Sequence, residues 1–389
     1  DSMSLSVVNP GDGTGGFVVP NGMSQNGVTK ILEVAMADRF NNPVVDGTAV
    51  VFTTEYGSIE SSCQTGVANR PKVGGVPNPG TCQVEWVSQD PRFPTLSGDD
   101  FIKTIFDPDY DCPSHNGREG PCPDDLGFTR GGRSTVTAHA IGEESFVDSN
   151  GNGRYDQNEQ FVNLPEVFFD ENEDGEWTPG LPDCQASPMG SAQCIAGQEE
   201  EFVDFNKNEV YDYNDTPPLY NGLFCPPEGE EAGWCSRDLV QVSDKTILTL
   251  SAEPVWDIIL TRNGRVVDRT VHFDLQLAYI SDLFNNPPPL GSTVTLSTTG
   301  ECKIVGDTEV QVPNLFFSGA FTTQVITSPP DAIVDRDPVP GTVTVTLNPV
   351  NGEAYSESFS CDTSNLPVDC DALPPGFSPL PPECEEEEP

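Results

Sequence analysis

Apolar and polar residues alternate over short runs in this chain, and a helical stripe nowhere lasts beyond about two turns. Met3-Ser-Leu5-Ser-Val7, Thr48-Ala-Val50-Val-Phe52, Thr81-Cys-Gln-Val84-Glu-Trp86, Ser134-Thr-Val136-Thr-Ala138, Thr246-Ile-Leu-Thr-Leu250 and Thr342-Val-Thr-Val-Thr-Leu347 all repeat with period two. Successive side chains of a strand point to opposite faces, so each run reads as a half-buried strand. Gly 36 and Pro 37 among 389 residues punctuate the runs. With strands and no long amphipathic helix, a core forms only by laying sheet on sheet. The expected fold class is therefore all-β, built as sandwiches.

One motif occurs twice. Asp38-Arg-Phe-Asn-Asn-Pro43 returns as Asp282-Leu-Phe-Asn-Asn-Pro287, each time between an alternating strand and a second strand that ends in a Thr-rich turn. The duplication predicts two tandem sandwiches, 1–252 and 253–362. The first carries a loop-rich insertion over 142–238, and a Pro-rich acidic tail fills 363–389. The run from Thr29 to Ile59, with Asp38-Arg-Phe-Asn-Asn-Pro-Val-Val-Asp-Gly-Thr48 and Val51-Phe-Thr-Thr54, resembles the bacterial Ig-like domains of the invasin and intimin type. Arg133 to Ile141 matches more loosely, and the second copy departs where Pro287-Pro-Pro-Leu-Gly-Ser292 replaces Pro-Val-Val-Asp-Gly-Thr. The resemblance implies Ig-like β-sandwiches serving as stalks, adhesins or surface-fibre modules.

The insertion holds the main chemical signal. Asp148, Asn150, Asn152, Arg154, Asp156 and Glu159 occupy positions 1, 3, 5, 7, 9 and 12 of a twelve-residue loop with Gly153 at position 6. This is the EF-hand calcium spacing. Ca²⁺ takes six to eight hard oxygens, and position 7 supplies its backbone carbonyl. A related loop has Asp204, Asn206, Asn208, Val210, Asp212 and Asp215, with Glu209 at position 6. A third has Asp170, Asn172, Asp174 and Glu176 around Gly175, but Leu181 at position 12, so its closing ligand must come from elsewhere. A glutamate stands four residues before each first Asp: Glu144, Glu166 and Glu200. These are candidate ligands for the same or a neighbouring loop. Pro165, Pro179, Pro182 and Pro217 argue against flanking helices. Calcium is the expected cofactor, and the insertion is expected to fold around its ions and disulfides.

Twelve cysteines imply an oxidising compartment. The spacing predicts nearest-neighbour bridges Cys63–Cys82, Cys112–Cys122, Cys184–Cys194, Cys225–Cys235, Cys302–Cys361 and Cys370–Cys384, the first tying a hairpin. The chain opens on Asp1 rather than Met, as expected of a secreted chain after removal of its leader. Lys and Arg number 18 against 62 Asp and Glu, a net charge of −44. Phosphate recognition needs clustered cations, so nucleic acid is excluded as a partner. No apolar run is long enough for membrane insertion.

Motifs for a serine nucleophile elbow, a zinc protease, a P-loop or a dinucleotide fold are missing, and the chain is not expected to be an enzyme. The expected function is an extracellular structural protein on the bacterial cell surface, a calcium- and disulfide-stabilised subunit of a fibre or stalk. The alternative is a calcium-dependent adhesin that grips a glycan or protein. Residues 2–8, followed by the glycines of Gly11-Asp-Gly-Thr-Gly-Gly16, allow two placements. The first strand either belongs to its own sandwich or is donated head-to-tail to a neighbouring subunit.

Overall fold

The computed structural model describes residues 1–8, 16–66, 79–90, 111–112, 118–119, 132–170, 175–179, 199–205, 207–212, 219–251, 256–262, 265–266, 270–271, 275–282, 286–300, 302–315, 321–328, 341–350 and 352–361. The chain divides into two compact units, 1–102 with 123–250, and 103–122 with 251–389.

The first unit is a sandwich. Strands β1 (Ser2–Val7), β3 (Thr29–Ala37), β7 (Thr81–Val87) and β5 (Ser58–Ile59) make one sheet in the order β1-β3-β7-β5. Strands β2 (Val18–Val19), β13 (Val240–Leu250), β10 (Arg133–Gly142), β4 (Ala49–Thr54) and β6 (Ser62–Gln64) make the other, in the order β2-β13-β10-β4-β6. The period-two residues point inward as their sequence requires. Leu5, Leu32, Val34, Met36, Val84 and Trp86 are buried from the first sheet, and Val50, Phe52, Val136, Ala138 and Leu248 from the second. Trp86 lies wholly inside and donates its indole N–H to the Thr54 hydroxyl at 3.0 Å, which removes the cost of burying it. Cys63 on β6 bonds Cys82 on β7. These strands belong to different sheets, so the bridge staples the sandwich across its core rather than tying a hairpin.

Of the two placements open to the first strand, β1 lies in its own sheet. It pairs antiparallel with β3 from Ser2 against Ala37 to Val7 against Leu32. The Leu5 N–H also donates to the Asp244 carboxylate of β13 at 2.8 Å. Donation to a neighbouring subunit would have to break these bonds. The glycines at 11–15 lie outside the described residues.

The small ribbon β8 (Asp111–Cys112) and β9 (Arg118–Glu119) precedes β10. Between β10 and β13, the segment 143–239 contains the two-stranded parallel pair β11 (Tyr220–Asn221) and β12 (Cys235–Ser236). It also contains the helix α1 (Pro227–Ala232), which Gly233 ends in a left-handed turn.

The second unit is also a sandwich. One sheet runs β15 (Arg265–Val266), β14 (Trp256–Arg262), β17 (Leu275–Asp282), β21 (Phe321–Ser328), β19 (Lys303–Ile304). The other runs β16 (Thr270–Val271), β23 (Tyr355–Cys361), β22 (Thr342–Asn348), β18 (Thr293–Thr299), β20 (Glu309–Gln311). Ile258, Leu260, Ala278, Ile280 and Val325 meet Val294, Leu296, Val343, Val345 and Leu347 in one core. Cys302, which directly precedes β19, bonds Cys361 at the end of β23.

The duplicated motif makes one turn twice. Asp38 N–H donates to the Asn42 carbonyl at 2.8 Å, and the Asp38 carboxylate accepts the Asn42 N–H at 2.9 Å. Asp282 and Asn286 repeat both bonds at 2.9 Å. A side-chain oxygen that closes on its own backbone explains why Asp opens the motif and Asn ends it.

Candidate functional site

Gly142, the last residue of β10, faces Val240, the first of β13. The lobe 143–239 therefore leaves and re-enters the sandwich at one point. Its Asp170 and Phe168 meet Lys245 of β13 in the second sheet, where Thr135, Thr137 and His139 of β10 are buried as well. His139 has a structural partner there, the Gln241 side chain at 2.9 Å.

The loop at Asp148 folds around its own side chains. Asp148 Oδ1 accepts the N–H groups of Gly151 and Asn152 at 2.7 and 3.1 Å, and Oδ2 accepts that of Gly153 at 2.7 Å. These bonds, chiefly that from Gly153, hold the Asp148 carboxyl below its ordinary pKa. The Asn150 and Asn152 amides converge on Asp156 Oδ2 at 2.5 and 2.6 Å. Glu159 closes the ring. It accepts the N–H of Ser149 at position 2 and of Asp156 at position 9, at 2.7 and 3.0 Å. Its own N–H donates to the Asp156 carbonyl at 3.0 Å.

The loop at Asp204 repeats this pattern. Asp204 accepts Asn208 and Glu209 N–H at 3.1 and 2.8 Å, Asn208 Oδ1 accepts Val210 N–H at 2.8 Å, and the Asn208 amide donates to Asp212 at 2.8 Å. Position 6 has positive φ in all three loops: Gly153 at 76°, Gly175 at 81° and Glu209 at 62°. The missing glycine leaves the sign of φ at position 6 unchanged and puts a glutamate in the left-handed region. In the Asp170 loop, Asp170 Oδ2 accepts the Gly175 N–H at 3.1 Å. Asn172, Asp174, Asn206 and Asp215 lie outside the described residues.

The upstream glutamates do not fold onto the loops that follow them. Glu166 accepts the N–H groups of Phe205 and Asp212, positions 2 and 9 of the Asp204 loop, at 2.9 and 3.1 Å. Glu200 accepts the N–H of Thr178, position 9 of the Asp170 loop, at 3.0 Å. Their own N–H groups donate to the Asp212 and Thr178 carbonyls at 3.0 and 3.1 Å, as Glu159 does to Asp156. Glu166 therefore does for its partner loop what Glu159 does for its own, and Glu200 makes the position-9 part of the same pattern. Glu144 makes the same set with a split counterpart. It accepts Leu164 N–H at 2.8 Å and Asn221 N–H at 2.7 Å, and donates to the Asn221 carbonyl at 3.0 Å. It touches none of the three acidic loops by these bonds.

Two short antiparallel bridges join these segments. Phe146 bridges Phe161 and Phe168 bridges Phe202, each antiparallel. Beside each bridge aromatic rings stack: Tyr155, at position 8 of its loop, on Tyr220 of β11 at 4.3 Å between centroids, and Trp177 on Tyr211, each at position 8, at 4.7 Å. The bridging phenylalanines meet these stacks edge-on. Disulfide Cys225–Cys235 packs beside the first stack. Burial raises the pKa of the Tyr155 and Tyr220 hydroxyls.

Two cations outside the loops hold the lobe. Arg39, the variable residue of the duplicated motif, places its guanidinium over Phe224, Phe146 and Phe40 at 4.0, 4.2 and 4.6 Å from their centroids. Lys245 on β13 bonds Asp170 Oδ2 and lies over Phe168 at 4.7 Å. Neither role was legible in the sequence, because both cations sit far from the acidic loops along the chain. The i−4 glutamates were legible, but not which loop each serves.

Among the described residues no three His, Cys, Asp or Glu side chains form a metal-holding group. In the Asp148 and Asp204 loops the carboxylates accept N–H groups, and the Asn150, Asn152 and Asn208 amides donate to Asp156 and Asp212. A half-turn of each amide exchanges its NH₂ for an oxygen at the same place, so the donor set suits a hard cation. One atom fits a cation more directly. Asp170 is 2 % exposed, and its Oδ1 is buried with no hydrogen-bond partner.

The expected bridges Cys112–Cys122, Cys184–Cys194 and Cys370–Cys384 each include residues outside those described. None of the described cysteines is free.

No protein-family model matches the chain, and no curated protein matches it. Among solved structures the chain is similar to the Yersinia pseudotuberculosis adhesin InvE, with TM-score 0.23 and 8 % identity over 93 % of this chain. The chain spans 59 % of that adhesin's length. The D0-D1 domain of intimin gives TM-score 0.21 and 7 % identity, covering 92 % of this chain and 98 % of that one. Salmonella alpha-2-macroglobulin gives TM-score 0.21 and 10 % identity, covering 93 % of this chain and 23 % of that one. Similarity this slight carries nothing about what the chain does.

Proposed function

We propose that this chain is a non-enzymatic extracellular structural protein, a bacterial surface fibre or stalk subunit whose inserted lobe is stabilised by calcium. The observation that carries the calcium reading is the buried Asp170 Oδ1, which has no hydrogen-bond partner and stands at position 1 of a loop spaced in sequence like its two neighbours. Lys245 and the Gly175 N–H hold the other oxygen of this carboxylate, so the remaining cost is that of one buried acceptor without a partner, which a divalent cation would satisfy. The three disulfides among the described residues support an oxidising, extracellular location. Among the described residues no helix is long and apolar enough to cross a membrane.

The alternative, an adhesin that uses the lobe to grip a partner, draws on exposed apolar side chains at the loops. Val147, Val162, Val210 and Leu223 are each more than half exposed. Calorimetric titration of the full chain with calcium chloride tests the metal reading, and a flat trace overturns it. Negative-stain microscopy of native material separates the two roles: filaments support a fibre subunit, and dispersed particles support the adhesin.

A further inference from the structure

The Asp170 and Asp204 loops trade closing carboxylates. Glu166 stands four residues before Asp170, yet accepts N–H groups at positions 2 and 9 of the Asp204 loop, at 2.9 and 3.1 Å. Glu200 stands four residues before Asp204, yet accepts the position-9 N–H of the Asp170 loop at 3.0 Å. Between them Phe168 bridges Phe202, with Phe169 N–H donating to the Glu201 carbonyl at 2.9 Å and Val203 N–H to the Val167 carbonyl at 2.7 Å. Trp177 and Tyr211 stack beneath. The arrangement has the internal symmetry of a two-fold pair.

We infer that Glu200 is the closing calcium ligand of the Asp170 loop and Glu166 that of the Asp204 loop, so that neither site is complete without the other's entry strand. The inference rests on the calcium reading proposed above.

Three observations lead to it. Glu159 shows what a closing glutamate does here: its carboxylate spans positions 2 and 9 of its own loop. Glu166 reproduces that span in full on a loop whose own twelfth residue is the shorter Asp215. Glu200 is 2 % exposed and faces the loop that carries the unpartnered Asp170 Oδ1 and has Leu181 at position 12. Both loops that lack a glutamate at position 12 thus have one supplied by their partner. A carboxylate offers about four lone-pair sites, so one that holds two N–H groups keeps capacity for a cation between them.

The test is calorimetric titration of the full chain with calcium chloride, in a background carrying Asp148→Asn to silence the first loop. Adding Asp170→Asn leaves the Asp204 loop alone. Glu166→Gln should then weaken the remaining site by roughly 10- to 100-fold, far more than Glu200→Gln does. Adding Asp204→Asn instead leaves the Asp170 loop, and the order should reverse. If each glutamate affects only the loop that follows it, or if both affect the two loops equally, the exchange is overturned while the calcium reading stands. A parent chain that takes up no calcium overturns both. Circular dichroism in EGTA checks that each variant is folded. Where a Gln variant is not, Glu→Asp at the same position is read in the same backgrounds, since a side chain one methylene shorter draws the carboxylate back from the partner loop.

Discussion

Glu166 and Asp212, 46 residues apart, are joined by two hydrogen bonds. The Glu166 N–H donates to the Asp212 carbonyl at 3.0 Å, and the Asp212 N–H donates to Glu166 Oε2 at 3.1 Å. Glu159 and Asp156 make the same two bonds at 3.0 Å each within one loop. One piece of local chemistry is thus made once within a loop and once between loops, and the second use turns two loops into a unit.

Calcium should stabilise the chain. A site filled at a hundred times its Kd contributes about 2.7 kcal/mol by mass action. Thermal melts in calcium and in EGTA should therefore differ by several degrees, and coincident curves would refute the prediction. Asp148→Ala should remove more of the calcium-dependent shift than Asp170→Ala, because the Asp148 loop carries a ligand at every expected position.

Glu209→Gly should stabilise the lobe. Glu209 sits at φ 62°, where an L side chain costs roughly 1–2 kcal/mol. Glycine removes that strain and returns part of the gain as backbone entropy, leaving a net of about 0.5 kcal/mol. Its calcium affinity should rise by a factor of about two or more, read by titration.

Arg39→Ala should loosen the lobe from the sandwich. It removes a guanidinium from three aromatic rings, at about 0.5–2 kcal/mol per contact. Limited proteolysis should then cut within 143–239 faster while the sandwiches stay intact. Equal cleavage rates in parent and variant would show that Arg39 does not secure the lobe.

Acid should destabilise the first unit below about pH 4. The Asn42 N–H bond holds Asp38 below its ordinary pKa, and the Gly153 N–H bond does the same for Asp148. A carboxyl whose folded pKa is depressed binds fewer protons folded than unfolded. Its contribution is therefore present above the unfolded pKa and is lost as pH falls through the folded one. Melting temperature should be flat from neutral pH to about 5 and drop below 4. In Asp38→Asn the drop should be smaller.

Peptide mapping without reduction should recover Cys63–Cys82, Cys225–Cys235 and Cys302–Cys361. By chain entropy, replacing the first pair with serines should cost about 3 kcal/mol and the last about 4, since they close 19 and 59 residues. A Cys63 peptide joined to any other cysteine would overturn the inter-sheet staple.

The period of two determined the strands, because alternation is a local property. Met3, Leu5 and Val7 face inward wherever their strand pairs. The Asp-x-Phe-Asn-Asn motif determined its turn, since Asp38 and Asn42 bond within five residues. Loop spacing around Asp148 determined its fold in the same way: Asp148, Asn150, Asn152, Asp156 and Glu159 bond to one another or to backbone N–H groups within 148–159. Tertiary structure alone decided that Cys63 and Cys82 face each other from opposite sheets, and that Lys245 and Arg39 clamp the lobe. It also decided that Glu166 and Glu200 cross over. A glutamate four residues before an Asp has two loops in reach once Phe168 lies against Phe202, and that bridge brings together residues far apart in the chain. Spacing along a sequence fixes contacts within one turn or strand. It carries no information on which of two equivalent loops a side chain meets when both present the same N–H groups.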